Sequence, residues 1–283
     1  MNHFVSTDWL ASHLDDPETQ IVDASWHMPN TGRKGSAEFI EGHIPGAIFF
    51  DIDAVADTAS DLPHMLPDER TFGDMAGALG LSSDTTIVIY DEHGLFSAPR
   101  AWWAFTAMGA RSVKLLEGGG PKWRAEGRPI ETGPSRATQR RFEARVQRHT
   151  IADFGDVLDT SRAGGQILDA RSAARFTGEA AEPRAGLKSG HIPGSRNLPF
   201  DTLIAHGRLK SDAELEKAIR EAGIDPQKPV ITSCGSGVTA SVLALALDTI
   251  GAPRVAVYDG SWSEWGGRDD APVETGPARS GGA

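Results

Sequence analysis

The 283-residue chain holds one cysteine, Cys234. It stands in Val230-Ile231-Thr232-Ser233-Cys234-Gly235-Ser236-Gly237-Val238-Thr239-Ala240. The run before it, from Pro229 to Ser233, reads as a strand. Gly235 and Gly237 permit a tight loop with unusual backbone angles. Val238 to Ile250 is an apolar, Ala/Leu-rich helix that Gly251 ends. Successive backbone N–H groups of Gly235, Ser236, Gly237, Val238 and Thr239 can converge on one point and form an anion cradle. The helix N-terminus adds partial positive charge there. Both effects favour a thiolate over a thiol, and the thiolate is the nucleophile. The same cradle suits a terminal persulfide anion on Cys234. Three other readings compete. A lone cysteine in a strand is often only a small buried side chain. A Cys-x5-Arg phosphatase needs an arginine six residues after the cysteine, but Ala240 stands there and the loop has no Arg or Lys. A Cys-x-x-Cys redox pair is excluded by Gly237.

Composition narrows the setting. A single cysteine leaves no intramolecular disulfide framework and no Cys-rich zinc site. Twenty-eight basic against 39 acidic residues give a net charge of −11, a poor basis for sequence-independent nucleic-acid binding. An anionic small substrate therefore needs locally placed arginines. Met1 to Leu10 shows no basic n-region and no apolar h-region. No apolar run approaches the roughly 18 residues of a membrane span. A reducing, cytoplasmic location is the expectation.

The elements that must position Cys234 occur twice. Gly42-His43-Ile44-Pro45-Gly46-Ala47 recurs as Gly190-His191-Ile192-Pro193-Gly194-Ser195, and Ile21-Val22-Asp23-Ala24 as Ile167-Leu168-Asp169-Ala170. From residue 88 to 123 the offset holds at 142: Val88 matches Val230, Gly109-Ala110 matches Gly251-Ala252, and Trp123 matches Trp265. Such order indicates two copies of one domain. The offset sets Glu92 opposite Cys234, so the copies share a scaffold and not a chemistry. His43 and His191, present in both, read as structural. Copy one carries about six extra residues between Asp53 and Pro67. Strands at 166–169, 255–258, 86–90 and 113–116 alternate with helices at 213–222, capped by Asp212, and at 98–108. This pattern predicts an α/β fold of two tandem domains, each a mostly parallel sheet with helices on both faces. The expected divisions are 1–135, a linker at 136–150, 151–277 and a mobile tail from 278 to 283. The stretch Pro134 to Thr150 reads as linker plus an edge strand. The active site is expected in the cleft between the domains.

Gly-His-Ile-Pro-Gly in both copies, Asp169-Ala170-Arg171 and the six-residue loop opened by Cys234 together resemble the two-domain rhodanese-family sulfurtransferases over residues 4 to 277. Within that family the Cys234–Thr239 loop is similar to that of 3-mercaptopyruvate sulfurtransferases. Thiosulfate-preferring members carry basic residues where Gly235 and Ser236 stand. The resemblance implies a ping-pong reaction through a Cys234 persulfide, with 3-mercaptopyruvate as donor and a thiol such as thioredoxin, or cyanide, as acceptor. It implies no metal and no organic cofactor. It also implies that Arg175 and Arg184 bind the substrate's carboxylate and carbonyl, which suits the planar guanidinium. Ser236 would join His64 and Asp53 of copy one in moving a proton, a task that fits a histidine oriented by a carboxylate. Arg171, in the family's Asp-x-Arg pattern, reads as structural, and Arg100 and Trp102-Trp103 as interface packing. Two alternatives stay open: a thiosulfate:cyanide sulfurtransferase and a non-catalytic persulfide carrier.

Overall fold

The computed structural model describes residues 3–278. The first sheet holds β1 (Phe4–Val5), β2 (Thr19–Asp23), β3 (Ile48–Phe49), β4 (Thr86–Tyr90) and β5 (Ser112–Leu116), in the order β1-β5-β4-β2-β3. The second sheet holds β6 (Ile151–Ala152), β7 (Gln166–Asp169) and β8 (Arg196–Asn197). After a short hairpin of β9 (Ile204–Ala205) and β10 (Arg208–Leu209) it adds β11 (Val230–Ser233) and β12 (Val255–Tyr258), in the order β6-β12-β11-β7-β8. Position for position the two orders are the same, and every pairing within the two sheets is parallel. The expected duplication is thus present as two copies of one topology.

Composition explains the central strands. β4 and β11 are buried on both faces, which is why they read as apolar runs without alternation. The Ala240–Thr249 helix buries eight of its ten residues. It is apolar all round because its own sheet covers one side and the Ala98–Ala107 helix of the first domain covers the other. Core residues of both domains, from Phe105 to Leu243, form one continuous cluster.

Several local expectations shift. The 212–221 helix is capped by Ser211 and not by Asp212: Ser211 and Glu214 form a capping box, and Asp212 is its first residue. No strand forms between Pro134 and Gln147. The edge strand of the second sheet starts at Ile151, just past that stretch. The stretch is anchored by Phe142, which packs on Phe72 and Phe105 of the first domain. Its backbone passes so close to Gly73, Gly77 and Gly80 that a Cβ there would meet main-chain oxygens within 2.8 Å. The part of the tail from residue 279 onward lies outside the described residues. Among the described residues no helix is long and apolar enough to cross a membrane.

His43 and His191 do the same job in both copies. Each is buried, each gives its Nδ1 to a main-chain oxygen (Phe39 or Phe176), and each stacks on that residue's ring at 3.8 Å.

Candidate active site

Cys234 follows the last residue of β11 and is only 2% exposed. The loop it opens is held from behind by the segment after β12. Ser261 Oγ accepts N–H bonds from Cys234 (3.2 Å) and Gly237 (3.1 Å) and donates to the Tyr258 carbonyl. Trp262 N–H donates to the Cys234 carbonyl, and Ser263 gives both its N–H and its hydroxyl to the Gly235 carbonyl. Ser261 sits at φ +48°, a conformation costly for a residue with a side chain. Gly237, at φ +79°, has no room for a Cβ, which would lie 2.6 Å from Arg100 Nη1. With the loop fixed this way, the N–H groups of Gly235, Ser236, Val238, Thr239 and Ala240 make no hydrogen bond among the described residues. An anion at Cys234 is what they can serve.

The first domain shows the same loop with its cradle filled. Sheet register corrects the sequence offset here. Tyr90 pairs with Asp23 as Ser233 pairs with Asp169, so Asp91, and not Glu92, is the counterpart of Cys234. The copy-one loop is one residue longer before its helix starts at Ala98, and a constant offset misses that. Asp91 is fully buried. One of its carboxylate oxygens accepts from His93 N–H, and the other from Phe96, Ser97 and Ala98 N–H at 2.7–2.8 Å. A built-in carboxylate thus occupies in copy one the place that a sulfur anion would take in copy two.

Arg175 and Arg184 flank Cys234 in different states. Arg175 is clamped by Glu182, with Nε at 3.1 Å and Nη2 at 2.5 Å, and its Nη2 lies 3.1 Å from where a Gly235 Cβ would be. Arg184 is half-buried and makes no hydrogen bond or ion pair among the described residues. Burial pushes its guanidinium below the ordinary range, against the opposing pull of the Cys234 sulfur. Arg175 lowers it further, while Asp53 and Glu182 hold it up. Arg171 is buried between Asp169 and Glu182 and lies over the Trp262 ring, 4.2 Å from its centroid, a framework role.

The histidine pair comes from the first domain. His64 Nδ1 lies 2.7 Å from Asp53 Oδ1, an ion-pair contact without hydrogen-bond alignment, and Asp53 Oδ2 accepts from Trp26 Nε1. The imidazole beside it, foremost, holds the Asp53 carboxyl below the usual range. His64 Nε2 is buried without a partner. Ser236, 6% exposed, makes no hydrogen bond to either, so the three-residue relay implied by the family pattern is not assembled here. Its members belong to separate segments. The His64 segment is tied to the cysteine loop by residues that the sequence offered only as packing. Arg100 donates to the His64 carbonyl and pairs with Asp259 at 2.7 Å, and Asp259 accepts from Leu66 N–H. Ser261, Ser263 and Asp259 carried no signal beyond following a strand with Asp-Gly. Among the described residues no group of three or more His, Cys, Asp or Glu side chains is placed to hold a metal. A cavity of about 860 Å³ lies at the opposite end of the second sheet, lined by Arg148, Asp156, Gly165 and Lys228.

A family model of the rhodanese-like domain matches residues 6–126 and 153–268. The 3-mercaptopyruvate sulfurtransferase of Escherichia coli (strain K12) is 47% identical over 273 residues, 96% of this chain and 97% of that protein. A thiosulfate sulfurtransferase of Rattus norvegicus is 44% identical over 280 residues, 96% of this chain and 93% of that protein. The crystal structure of SseA from Escherichia coli, described as having the rhodanese fold, superposes with a TM-score of 0.86 at 44% identity and covers 93% of this chain and 99% of that one. With a duplicated parallel sheet, one open cradle and one filled, the chain belongs to the rhodanese family as a tandem two-domain member.

Proposed function

We infer that this chain is a 3-mercaptopyruvate sulfurtransferase working through a Cys234 persulfide. One observation carries the reading: the only thiol stands at a cradle of N–H groups unpartnered among the described residues, with Arg184, which has no ion-pair partner there, in its field. In the first half-reaction the Cys234 thiolate attacks the donor's sulfur. An S–S bond forms and the donor's C–S bond breaks. The electron pair stays on carbon as pyruvate enolate, which takes up the proton of the donor thiol. The free N–H groups of Gly235, Val238 and Thr239 line the cradle, Gly237 shapes it with its own N–H held by Ser261 Oγ, and Arg175 and Arg184 hold the carboxylate and carbonyl. In the second half-reaction an acceptor thiolate, such as that of thioredoxin, or cyanide attacks the outer sulfur and Cys234 leaves as thiolate. In this reading His64, oriented by Asp53, moves a proton, and Ser236 presents its free N–H to the cradle.

In this reading 151–277 is the catalytic unit, 1–135 is a cysteine-free scaffold that lends His64 and Asp53, and 136–150 joins them. The setting is cytoplasmic and reducing, which keeps Cys234 available.

The rat relative's name gives one competing reading, a thiosulfate sulfurtransferase. Steady-state kinetics with both donors and cyanide as acceptor separate the two. The loop without a basic residue predicts a higher kcat/KM for 3-mercaptopyruvate. A higher value for thiosulfate would replace this reading with the other.

A further inference from the structure

Glu182 stands in the middle of a chain of charges. Arg171 contacts Asp169 at 2.7 Å and Glu182 at 2.8 Å, and Arg175 contacts the same Glu182 at 2.5 Å. The Glu182 and Asp169 side chains are 2% and 1% exposed. Two carboxylates and two guanidiniums sum to zero, so Arg175 enters the site already neutralised. Arg184, two residues further on, has no such partner and shares a field with Cys234, Arg175, Asp53 and Glu182. The Asp53 carboxylate lies 2.7 Å from His64 Nδ1, the free loop N–H groups serve an anion on Cys234, and the loop itself adds no basic side chain.

We propose that Glu182 sets the charge of the donor that this site accepts. By neutralising Arg175 it leaves one cation without an ion-pair partner among the described residues, Arg184. That count matches a donor with a single negative charge, such as 3-mercaptopyruvate, and disfavours a dianion such as thiosulfate. A second negative charge brought beside Cys234 finds no further cation without an ion-pair partner among these side chains, and charge desolvation there is costly. Glu182 also orients the fork. It occupies Nε and Nη2 of Arg175 and leaves Nη1 for the substrate. Glu182 is therefore a positioning residue that acts through Arg175. The proposal rests on the reading that Cys234 takes sulfur from an anionic donor here.

The test compares wild type, Glu182→Gln and Glu182→Asp with both donors and cyanide as acceptor. Glu182→Gln raises the thiosulfate-to-mercaptopyruvate ratio of kcat/KM by about tenfold or more, chiefly through a lower KM for thiosulfate. Glu182→Asp keeps the charge and the wild-type ratio within about threefold. If Glu182→Gln depresses both donors by one factor, the residue only braces the fold and the proposal falls. Because that variant also strips Arg171 of a partner and can fail to fold, a measurement on wild type decides independently. Pyruvate and oxalate are nearly isosteric, with one and two negative charges. Pyruvate competes with 3-mercaptopyruvate at an about tenfold lower concentration than oxalate does. Equal or reversed inhibition overturns the proposal. Wild type that turned over no mercaptopyruvate would contradict the assigned activity instead, a result distinct from either.

Discussion

At the scale of single residues, the division of labour around the thiol follows from which charges are already matched. Arg184 is the cation left without an ion-pair partner among the described residues, and the proposed function gives it the substrate's carboxylate. Replacing it with Gln removes charge-assisted bonds worth about 1.5–3 kcal/mol, and KM for 3-mercaptopyruvate should rise about 10- to 100-fold while the melting temperature holds. A KM within about twofold of wild type would remove Arg184 from the donor site. Asp23 shows the other side of charge matching. It is the copy-one counterpart of Asp169, but Ser25 stands where Arg171 stands in copy two. Without that cation, burial pushes the Asp23 carboxyl up to about 7. A carboxyl whose folded value is raised binds its proton more tightly in the folded chain. Stability is therefore full below the ordinary carboxylate range and falls as pH rises from about 4 towards about 7. Asp23→Asn should raise the melting temperature at pH 8 and leave it nearly unchanged at pH 4. An equal shift at both pH values would contradict this.

At the scale of elements, the strand–cysteine–loop–helix unit was legible because a β-branched run, two glycines and an Ala/Leu-rich helix are each local signals. The bracing behind it was not. Ser261 and Ser263 reach the loop from 27 and 28 residues away along the chain, and a hydroxyl at positive φ leaves no pattern in a sequence. Gly119 occupies the matching place in copy one at φ +58°, where the Asp91 carboxylate takes the N–H groups of His93, Phe96, Ser97 and Ala98. Ser261→Gly should thus relieve a strained φ while freeing the Cys234 and Gly237 N–H groups. The melting temperature should change by little, and kcat should fall about tenfold or more. An unchanged kcat would show that the hydroxyl does not set the loop. The alignment of Asp91 with Cys234 was missed for a similar reason. One extra loop residue is invisible to a fixed offset, and only strand register fixes which carboxylate fills the cradle.

At the scale of the whole molecule, duplication was legible from the recurring Gly-His-Ile-Pro-Gly, but the contact that makes the copies cooperate was not. Arg100 read as packing. It is a buried cation joining the His64 carbonyl of one domain to Asp259 of the other. Arg100→Ala strands Asp259 as an unpaired buried charge at a cost of about 3–5 kcal/mol. The melting temperature should drop by several degrees, and activity should fall because the His64 segment loses its tie to the cysteine loop. A stable, fully active variant would show that the domains need no such link. Across the whole molecule, one domain should carry sulfur on Cys234 while the other, its cradle filled by Asp91, carries none. Intact-mass measurement after addition of 3-mercaptopyruvate, before any acceptor, tests this most directly. One added sulfur, about 32 Da, is expected on the wild-type chain, lost on adding cyanide or a thiol and absent from folded Cys234→Ser. No added mass on the wild type, or the same gain on Cys234→Ser, would contradict it.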